Sequence, residues 1–173
     1  LPLLGVGGSQ IFKAETPGPM KDNKLAPRIT QTAKGLWFVY FLMTVTCALC
    51  FYFAGMTGID AVVHAFSTMG LGGFSTHDAS FAYWHSSTIV GIAVFFMLVA
   101  GINYATHFQA LRSLSFSPYR LDPETRCFLG IVLVSAAAIA VYLWQTGIYS
   151  ELSTAIHFAF FNVVSVATTT GFA

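Results

Sequence analysis

The chain has 173 residues, of which 55% are hydrophobic, 16% aromatic and 9% charged. Soluble domains carry about 25% charged residues, so this composition indicates a protein that lies within a membrane. Its eight basic residues are balanced by seven acidic ones. Without a basic surface, the chain is not expected to bind nucleic acid.

Residues 1–35 are predicted to hold the end of a preceding membrane span, followed by a cytoplasmic linker. Residues 1–12 are apolar and contain several glycines, whereas residues 13–34 contain Lys, Arg and three prolines. Because proline interrupts helices, one continuous helix is not expected there. The chain begins with Leu1 rather than methionine and stops at Ala173, directly after a Gly-Phe pair. We interpret it as an internal piece of a longer protein.

Three later segments are predicted to cross the membrane as helices. Residues 36–54 carry no charge and are long enough to span roughly 30 Å of hydrocarbon. Residues 88–104 and 127–144 are similarly apolar. Two further apolar stretches, residues 59–69 and 152–167, are either too short or lack a charged stop. They favour helices that dip into the membrane without crossing it.

Each dipping helix leads into a small loop that ends in Gly-Phe. We call residues 70–76 the first Gly-Phe loop and residues 168–173 the second Gly-Phe loop. Aligning Gly73 with Gly171 also pairs the phenylalanine that follows each glycine. Non-helical backbone at membrane depth survives only where it is buried in protein or lines a water-filled cavity. A repeated loop of this kind predicts a pore made of repeated units, with carbonyl and hydroxyl oxygens facing a cation.

The order span, dipping helix, loop and span predicts an all-α polytopic membrane protein built from repeated pore units. Residues 36–108 make one complete unit, and residues 109–126 are predicted to form a cytoplasmic loop. Residues 127–173 make the first half of the next unit. The chain therefore contains two of these loops and three predicted spans.

The distribution of charge predicts the orientation of these loops. Every Lys and Arg lies within residues 1–35 or 105–126, whereas residues 55–87 and 145–173 contain none. Cytoplasmic connections of membrane proteins carry an excess of Lys and Arg. Both Gly-Phe loops are therefore expected on the outer side of the membrane.

The composition of the loops suits a dehydrated alkali cation. Neutral oxygens replace its hydration shell if the backbone turns its carbonyls inward, and glycine tolerates the required conformations. The first loop supplies Gly70, Gly72 and Gly73, and the second supplies Gly171 together with the hydroxyls of Thr168–Thr170. Either loop alone is also compatible with an ordinary tight turn. Their repetition at the same place favours ion binding.

Four polar residues outside the loops are given simpler roles. Asp60 begins its dipping helix and is expected to stabilise the positive end of the helix dipole. His64 is expected to hydrogen-bond a neighbouring backbone group, and Asn103 to bond between helices. Asp78 is either an acid that concentrates cations at the outer mouth or a solvated loop residue.

Two other classes of function remain open. Five histidines invite a membrane-embedded protein that holds haem or a metal through histidine, although the predicted spans contain no facing pair. A non-conducting structural segment is the third possibility. Cys47 and Cys50 have no second pair at metal-ligand spacing. No nucleophile with an acid–base pair and no complete phosphate-binding loop occurs, so an enzyme is not predicted.

Four stretches of sequence carry a resemblance to a known family. They are Leu1-Pro-Leu-Leu-Gly-Val-Gly-Gly, Pro17-Gly-Pro-Met-Lys-Asp-Asn-Lys, Gly72-Gly-Phe-Ser-Thr-His-Asp78 and Ala167-Thr-Thr-Thr-Gly-Phe172. These stretches resemble the bacterial TrkH/TrkG branch of the potassium transporter superfamily that includes Trk, Ktr and HKT proteins. The resemblance implies four units around one pore, with the pseudo-fourfold arrangement of a potassium channel, K⁺ as the transported ion and no organic cofactor.

The resemblance also implies location and partners. Proteins of this family lie in the bacterial cytoplasmic (inner) membrane and form homodimers. They bind a cytoplasmic nucleotide-binding regulatory subunit of the TrkA type. These expectations come from the resemblance alone.

A selectivity filter is implied in the same way. Leu71 stands where the family pattern has a threonine, so one hydroxyl is missing from the first loop. In related proteins, a serine in place of Gly73 or Gly171 accompanies sodium permeation, so the two glycines imply a preference for potassium. The implied filter residues are Leu71, Gly72, Gly73 and Phe74 in the first loop, and Thr169, Thr170, Gly171 and Phe172 in the second.

Overall fold

A computed structural model describes residues 29–172, and these residues contain helices and loops but no strand. The predictions for residues 1–28 and for Ala173 lie outside the described residues. One 3₁₀ helix, Ser80–Trp84, follows the first Gly-Phe loop. The α-helices are α1 (Ile29–Phe53), α2 (Gly58–Met69), α3 (Ser87–Ala100), α4 (Tyr104–Ser113), α5 (Ser117–Leu121), α6 (Pro123–Gln145) and α7 (Leu152–Ala167).

Helix α1 begins at Ile29 and not at residue 36, which corrects the prediction that residues 29–35 belong to the linker. The last proline of the linker is Pro27, and no helix-breaking proline follows it before the apolar span. The polar residues up to Lys34 therefore continue the helix beyond the apolar segment.

The two dipping helices of the sequence analysis correspond to α2, Gly58–Met69, and α7, Leu152–Ala167. Helix α2 packs mainly against α1, and α7 packs mainly against α6. Each long helix is thus paired with the short helix that follows it in the chain. Helix α3 contacts both α2 and α7, and it joins the two pairs.

The segment predicted as one span at residues 88–104 is interrupted. Helix α3 ends at Ala100, and α4 leaves it at an angle of 92°. The side chain of Asn103 caps α4 by accepting the amide N–H of Ala105 at 3.0 Å. Asn103 thus acts as a helix cap, a role not foreseen from its apolar surroundings. The predicted cytoplasmic loop 109–126 is itself largely helical, since it holds the end of α4, all of α5 and the start of α6.

His107 fastens the bend from inside. Its Nε2 lies 2.9 Å from the carbonyl oxygen of Val99, at the end of α3, and its Nδ1 lies 2.8 Å from the Tyr119 hydroxyl. A carbonyl only accepts, so Nε2 carries the proton and Nδ1 accepts the Tyr119 hydroxyl proton.

Helices α1 and α6 are long and apolar enough to cross a membrane, and the bent pair of α3 and α4 makes a third candidate if it counts as one span. Large apolar side chains of α1 and α6 remain on the outside of the fold. A continuous apolar surface of this kind indicates contact with lipid or with further protein. Examples are Trp37, Phe38, Phe41, Leu49 and Phe53 on α1, and Ile131, Leu133, Val134 and Val141 on α6.

Removal of the cap at the bend should loosen this part of the fold. Asn103→Ala is expected to lower the free energy of unfolding by about 1 kcal/mol, because one helix N–H loses its partner. Asn103→Ser keeps a capping oxygen and should lose much less. Thermal unfolding of the purified protein in detergent measures both variants. Equal losses in the two would contradict the capping role.

Candidate functional site

The two Gly-Phe loops leave their helices in the same way. The amide N–H of Gly70 donates to the Phe66 carbonyl at 2.8 Å, and that of Thr168 donates to the Val164 carbonyl at 2.9 Å. These donors and acceptors are related by the same shift in sequence that aligns Gly73 with Gly171. The repeat that is visible in the sequence is therefore also a repeat of backbone geometry.

In both loops, residues in the left-handed backbone conformation alternate with residues outside it. Residues with positive φ are separated by one residue without it, Gly72 in the first loop and Thr170 in the second. Leu71 and Thr169 adopt this left-handed conformation although side chains disfavour it, so both loops hold strained backbone. The φ angles are 52° at Leu71, 67° at Gly73, 62° at Thr169 and 81° at Gly171.

The structure brings the two loops into contact at their glycines. A Cβ atom on Gly73 would collide with the carbonyl oxygen of Thr170 and would lie 3.1 Å from the carbonyl carbon of Gly171. A Cβ on Gly171 would meet nothing within 4 Å. Gly73 is thus required by close packing and by φ, whereas Gly171 is required by φ and faces open space.

The two phenylalanines have different environments. Phe172 is 3% exposed, whereas Phe74 is 75% exposed. The Phe172 ring packs edge-to-face on Phe81, with centroids 4.7 Å apart, and its backbone carbonyl accepts the Ser165 hydroxyl at 2.7 Å. The end of the second loop is therefore anchored in the core. The equivalent ring of the first loop, that of Phe74, lies on the surface.

The threonine hydroxyls of the second loop also differ from one another. The Thr168 hydroxyl donates to the Val164 carbonyl at 2.7 Å and lies 2.7 Å from the Thr170 hydroxyl. Because the only hydroxyl proton of Thr168 is used, Thr170 must donate to Thr168. The lone pairs of Thr170 remain available to a ligand. Thr169 is exposed.

Short helices end at both loops. The carbonyl end of a helix is the negative end of its dipole, and it favours a cation nearby. The Tyr104 hydroxyl donates to the last carbonyl of α2, that of Met69, at 3.2 Å. At the bend after α3, a Cβ on Gly101 would lie 3.2 Å from Cγ2 of Thr168. The α3–α4 bend therefore packs against the base of both loops.

Two residues given simple roles from sequence make further bonds to the last residues of the first Gly-Phe loop. Asp60 lies in the first turn of α2, and its carboxylate also accepts the Thr76 hydroxyl at 2.6 Å. Hydrogen bonds from Thr76 and Thr57 hold the pKa of Asp60 below its usual range, so it is ionised at neutral pH. His64 bonds to backbone, as expected, and in addition to the Ser75 hydroxyl at 2.9 Å.

Asp78 lies in the turn between the first Gly-Phe loop and the 3₁₀ helix, where it is exposed to solvent. It follows His77, whose ring stacks on Tyr83 at a centroid distance of 3.7 Å. Both interpretations of Asp78, as a mouth acid and as a solvated loop residue, are compatible with this position.

The histidine-ligand alternative finds little support in the described part of the chain. Residues 29–172 contain no group of three His, Cys, Asp or Glu side chains that could hold a metal ion. The buried His64 and His107 each use both ring nitrogens in hydrogen bonds. Either residue would have to break a hydrogen bond before it could bind iron or another metal.

The fold and the paired loops define an all-helical membrane protein in which short helices end at glycine loops. The family model described as TrkH, cation transport protein, matches residues 1–173. The chain therefore belongs to the TrkH family.

Curated relatives and one solved structure agree with this assignment. The chain is 52% identical to the Trk system potassium uptake protein TrkH of Salmonella typhimurium over 99% of its length, and 37% identical to TrkG of Escherichia coli over 100%. It spans 36% of the length of each relative. The crystal structure of the potassium transporter TrkH from Vibrio parahaemolyticus matches with a TM-score of 0.82 and 40% identity, over 87% of this chain and 33% of that one.

The two glycines should respond differently to the same substitution. Gly171→Ala is expected to cost about 1–2 kcal/mol of stability, because an L-residue is strained at positive φ. Gly73→Ala should cost more, since its methyl group also collides with the Thr170 carbonyl. Thermal unfolding in detergent gives both values.

A matched control for this comparison is Gly91→Ala. Gly91 lies within α3, and a Cβ there meets nothing within 4 Å. Alanine stabilises a helix relative to glycine by up to about 1 kcal/mol, so this variant should be at least as stable as the wild type. If Gly73→Ala is as harmless as Gly91→Ala, the loops do not pack as described.

Proposed function

We propose that this chain supplies two of the filter loops of a potassium uptake protein and conducts K⁺ between them as part of a four-unit pore. The observation that carries the proposal is the contact of two loops with the same alternating backbone. The family assignment and the names of the relatives support it. The chain does this work as a transporter or channel, not as an enzyme.

The alternating φ angles explain how the loops can bind a cation. Such alternation gathers successive N–H groups on one side of a chain, which leaves successive carbonyls on the other. In the first loop these carbonyls belong to residues 71–74, and in the second to residues 169–171, since the Phe172 carbonyl accepts the Ser165 hydroxyl. Carbonyls in a row replace the hydration shell of a potassium ion. Thr170 adds a hydroxyl oxygen whose lone pairs are free.

The charge of the ion follows from the surroundings of the loops. The C-terminal carbonyl ends of α2 and α7 both point their negative dipole ends into the loops. No Lys or Arg lies within residues 55–87 or 145–173. A cation is therefore favoured electrostatically, without a charged ligand. The resemblance to related proteins, in which a serine at these positions accompanies sodium permeation, implies a preference for potassium, since positions 73 and 171 are glycines here.

We further propose that the protein lies in the bacterial inner membrane with both loops outside. The basic residues of the described chain are Lys34 near the start of α1, Arg112 in α4, Arg120 in α5 and Arg126 near the start of α6. Cytoplasmic segments of membrane proteins carry an excess of Lys and Arg, which supports a cytoplasmic position for these segments and an outer position for the loops. Asp78 then lies at the outer mouth. A homodimer and a TrkA-type regulatory subunit on the cytoplasmic face belong to the same proposal, by analogy with the family.

Substitution of the filter glycines tests the function. In potassium-uptake-deficient bacteria that express a complete four-unit protein carrying this chain, Gly73→Ser and Gly171→Ser should reduce rubidium-86 uptake or admit sodium. Gly91→Ser, in a helix, is the control and should transport like the wild type. Unchanged uptake and selectivity in correctly inserted Gly73→Ser and Gly171→Ser would instead favour the non-conducting structural segment.

Labelling of single cysteines tests the orientation. With the native cysteines replaced, Asp78→Cys should react with a membrane-impermeant maleimide on intact cells. Ser115→Cys, in the exposed turn after α4, should react only after the cells are permeabilised. The reverse pattern would place the loops in the cytoplasm. The native cysteines to replace are Cys47, Cys50 and Cys127.

A further inference from the structure

A cluster of polar side chains joins α2 to the end of the first Gly-Phe loop and to the residue that follows it. We call Asp60 and His64 of α2, together with Ser75, Thr76 and His77, the loop brace. Its members are separated by up to 17 positions in sequence but lie within hydrogen-bond or ion-pair distance of one another. None of them was assigned to the filter, and none contacts the ion in the proposed function.

His64 forms the buried half of the loop brace. Its Nδ1 lies 2.8 Å from the carbonyl oxygen of Asp60, and its Nε2 lies 2.9 Å from the Ser75 hydroxyl. Because the carbonyl can only accept, Nδ1 carries the proton and Nε2 accepts from Ser75. The Ser75 oxygen in turn accepts the His77 amide N–H at 3.1 Å. Each hydrogen bond in this series therefore has a defined donor and a defined acceptor.

Asp60 forms the outer half of the loop brace. Its two carboxylate oxygens divide their work, since Oδ2 accepts from Thr57 at 2.7 Å and Oδ1 accepts from Thr76 at 2.6 Å. The Nε2 of His77 lies 3.5 Å from Oδ1. Hydrogen bonds to an ionised carboxylate are about twice as strong as neutral ones. Asp60 thus connects the start of α2 to Thr76, at the end of the loop.

The second Gly-Phe loop is fastened by different bonds. There, Ser165 holds the Phe172 carbonyl, and Thr168 and Thr170 bond to each other. The residues of the first loop that align with these two threonines are Gly70 and Gly72, which carry no hydroxyl. The first loop therefore lacks the internal hydroxyl bonds of the second.

The aligned partner of Ser165 confirms this contrast. Ser67 is buried, yet its hydroxyl has no hydrogen-bond partner in the described structure. In the other direction, the short helix of the second unit carries neither Asp nor His at the positions that align with Asp60 and His64. Its residue aligned with His64 is Asn162, which is exposed and bonds only within its own helix, to the Phe158 carbonyl at 2.9 Å. Phe158 itself aligns with Asp60. The helix residues of the loop brace, Asp60 and His64, are therefore not repeated at the aligned positions of α7.

The loop brace also reaches the second loop. The fully buried His64 ring lies nearly parallel to the Phe172 ring, with centroids 6.3 Å apart and an interplanar angle of 16°. The Trp84 ring packs edge-on against His64 at 4.9 Å. A shift of His64 would therefore displace Ser75 of the first loop and Phe172 of the second.

We propose that Asp60 and His64 are positioning residues that set the ion selectivity of the first loop by fixing its last residues, Ser75 and Thr76, to α2. They replace the hydroxyl bonds that Ser165, Thr168 and Thr170 provide in the second loop. Binding sites need their ligands held within about 0.5 Å of the working geometry, and locked neighbours provide that precision. This inference rests on the proposed function, because it concerns the selectivity of the same loops.

Selective uptake of rubidium-86 against sodium-22 tests the inference in the complete protein. His64→Leu removes the hydrogen bonds of His64 to the Asp60 carbonyl and to the Ser75 hydroxyl. It should raise the KM for rubidium or the relative sodium uptake by about tenfold, as expected when buried hydrogen bonds are lost. His64→Gln keeps a side-chain amide and should restore part of the selectivity. Asn162→Leu, at the aligned position of the second unit, is the matched control and should behave like the wild type.

The receiving end of the loop brace gives a second set of variants. Ser75→Ala and Thr76→Val change the loop and not the helix core, so they should insert even if His64→Leu does not. Both should produce the same change in selectivity as His64→Leu. Asp60→Asn should resemble Thr76→Val, since it removes the ionised acceptor. Quantification of the protein in the membrane separates lower abundance from altered selectivity.

The Gly73→Ser variant, measured in parallel, separates the two claims. If Gly73→Ser alters selectivity while His64→Leu, Ser75→Ala and Asp60→Asn keep the wild-type KM and sodium discrimination, the loop brace is only structural and the inference is wrong. If Gly73→Ser also leaves selectivity unchanged, the proposed function fails and the inference falls with it. Altered selectivity in both sets, with Asn162→Leu unchanged, supports the inference.

Discussion

The close approach of Gly73 to the Thr170 carbonyl is the constraint on which the rest of the structure depends. Two loops meet backbone to backbone only if no Cβ intervenes, and the positive φ at Gly73 and Gly171 keeps both loops turned in the same sense. The surrounding helices are arranged to hold this contact. Helices α2 and α7 end at the loops, and α3 packs against both helices. The bend after α3 supports the loops from the helix side.

The two halves share a backbone plan but not a set of side chains. The first loop has three glycines and relies on Asp60 and His64 of its own short helix, whereas the second has three threonines and fastens itself. In the pore that we propose, these two units would therefore hold their loops through different side-chain bonds.

The sequence alone predicts the loops and the short helices well, because their signals are local. Glycines, hydroxyls and a Gly-Phe ending repeat at a fixed shift, and the short apolar helices precede them directly. The break of α3 was missed because residues 88–104 are uniformly apolar, and hydropathy does not register that Asn103 caps a new helix. The bonds from Asp60 and His64 to Thr76 and Ser75 were missed for another reason. They join residues 16 and 11 positions apart, and only the folded loop brings them together.

The central claim, that the two loops form one ion path, is tested most directly by locating the ion. Crystals of the complete four-unit protein grown in rubidium salt give an anomalous difference map. The account predicts rubidium peaks in contact with the carbonyl oxygens of residues 71–74 and 169–171. Ordered rubidium elsewhere in the molecule, with the space between these two loops free of it, would contradict the account.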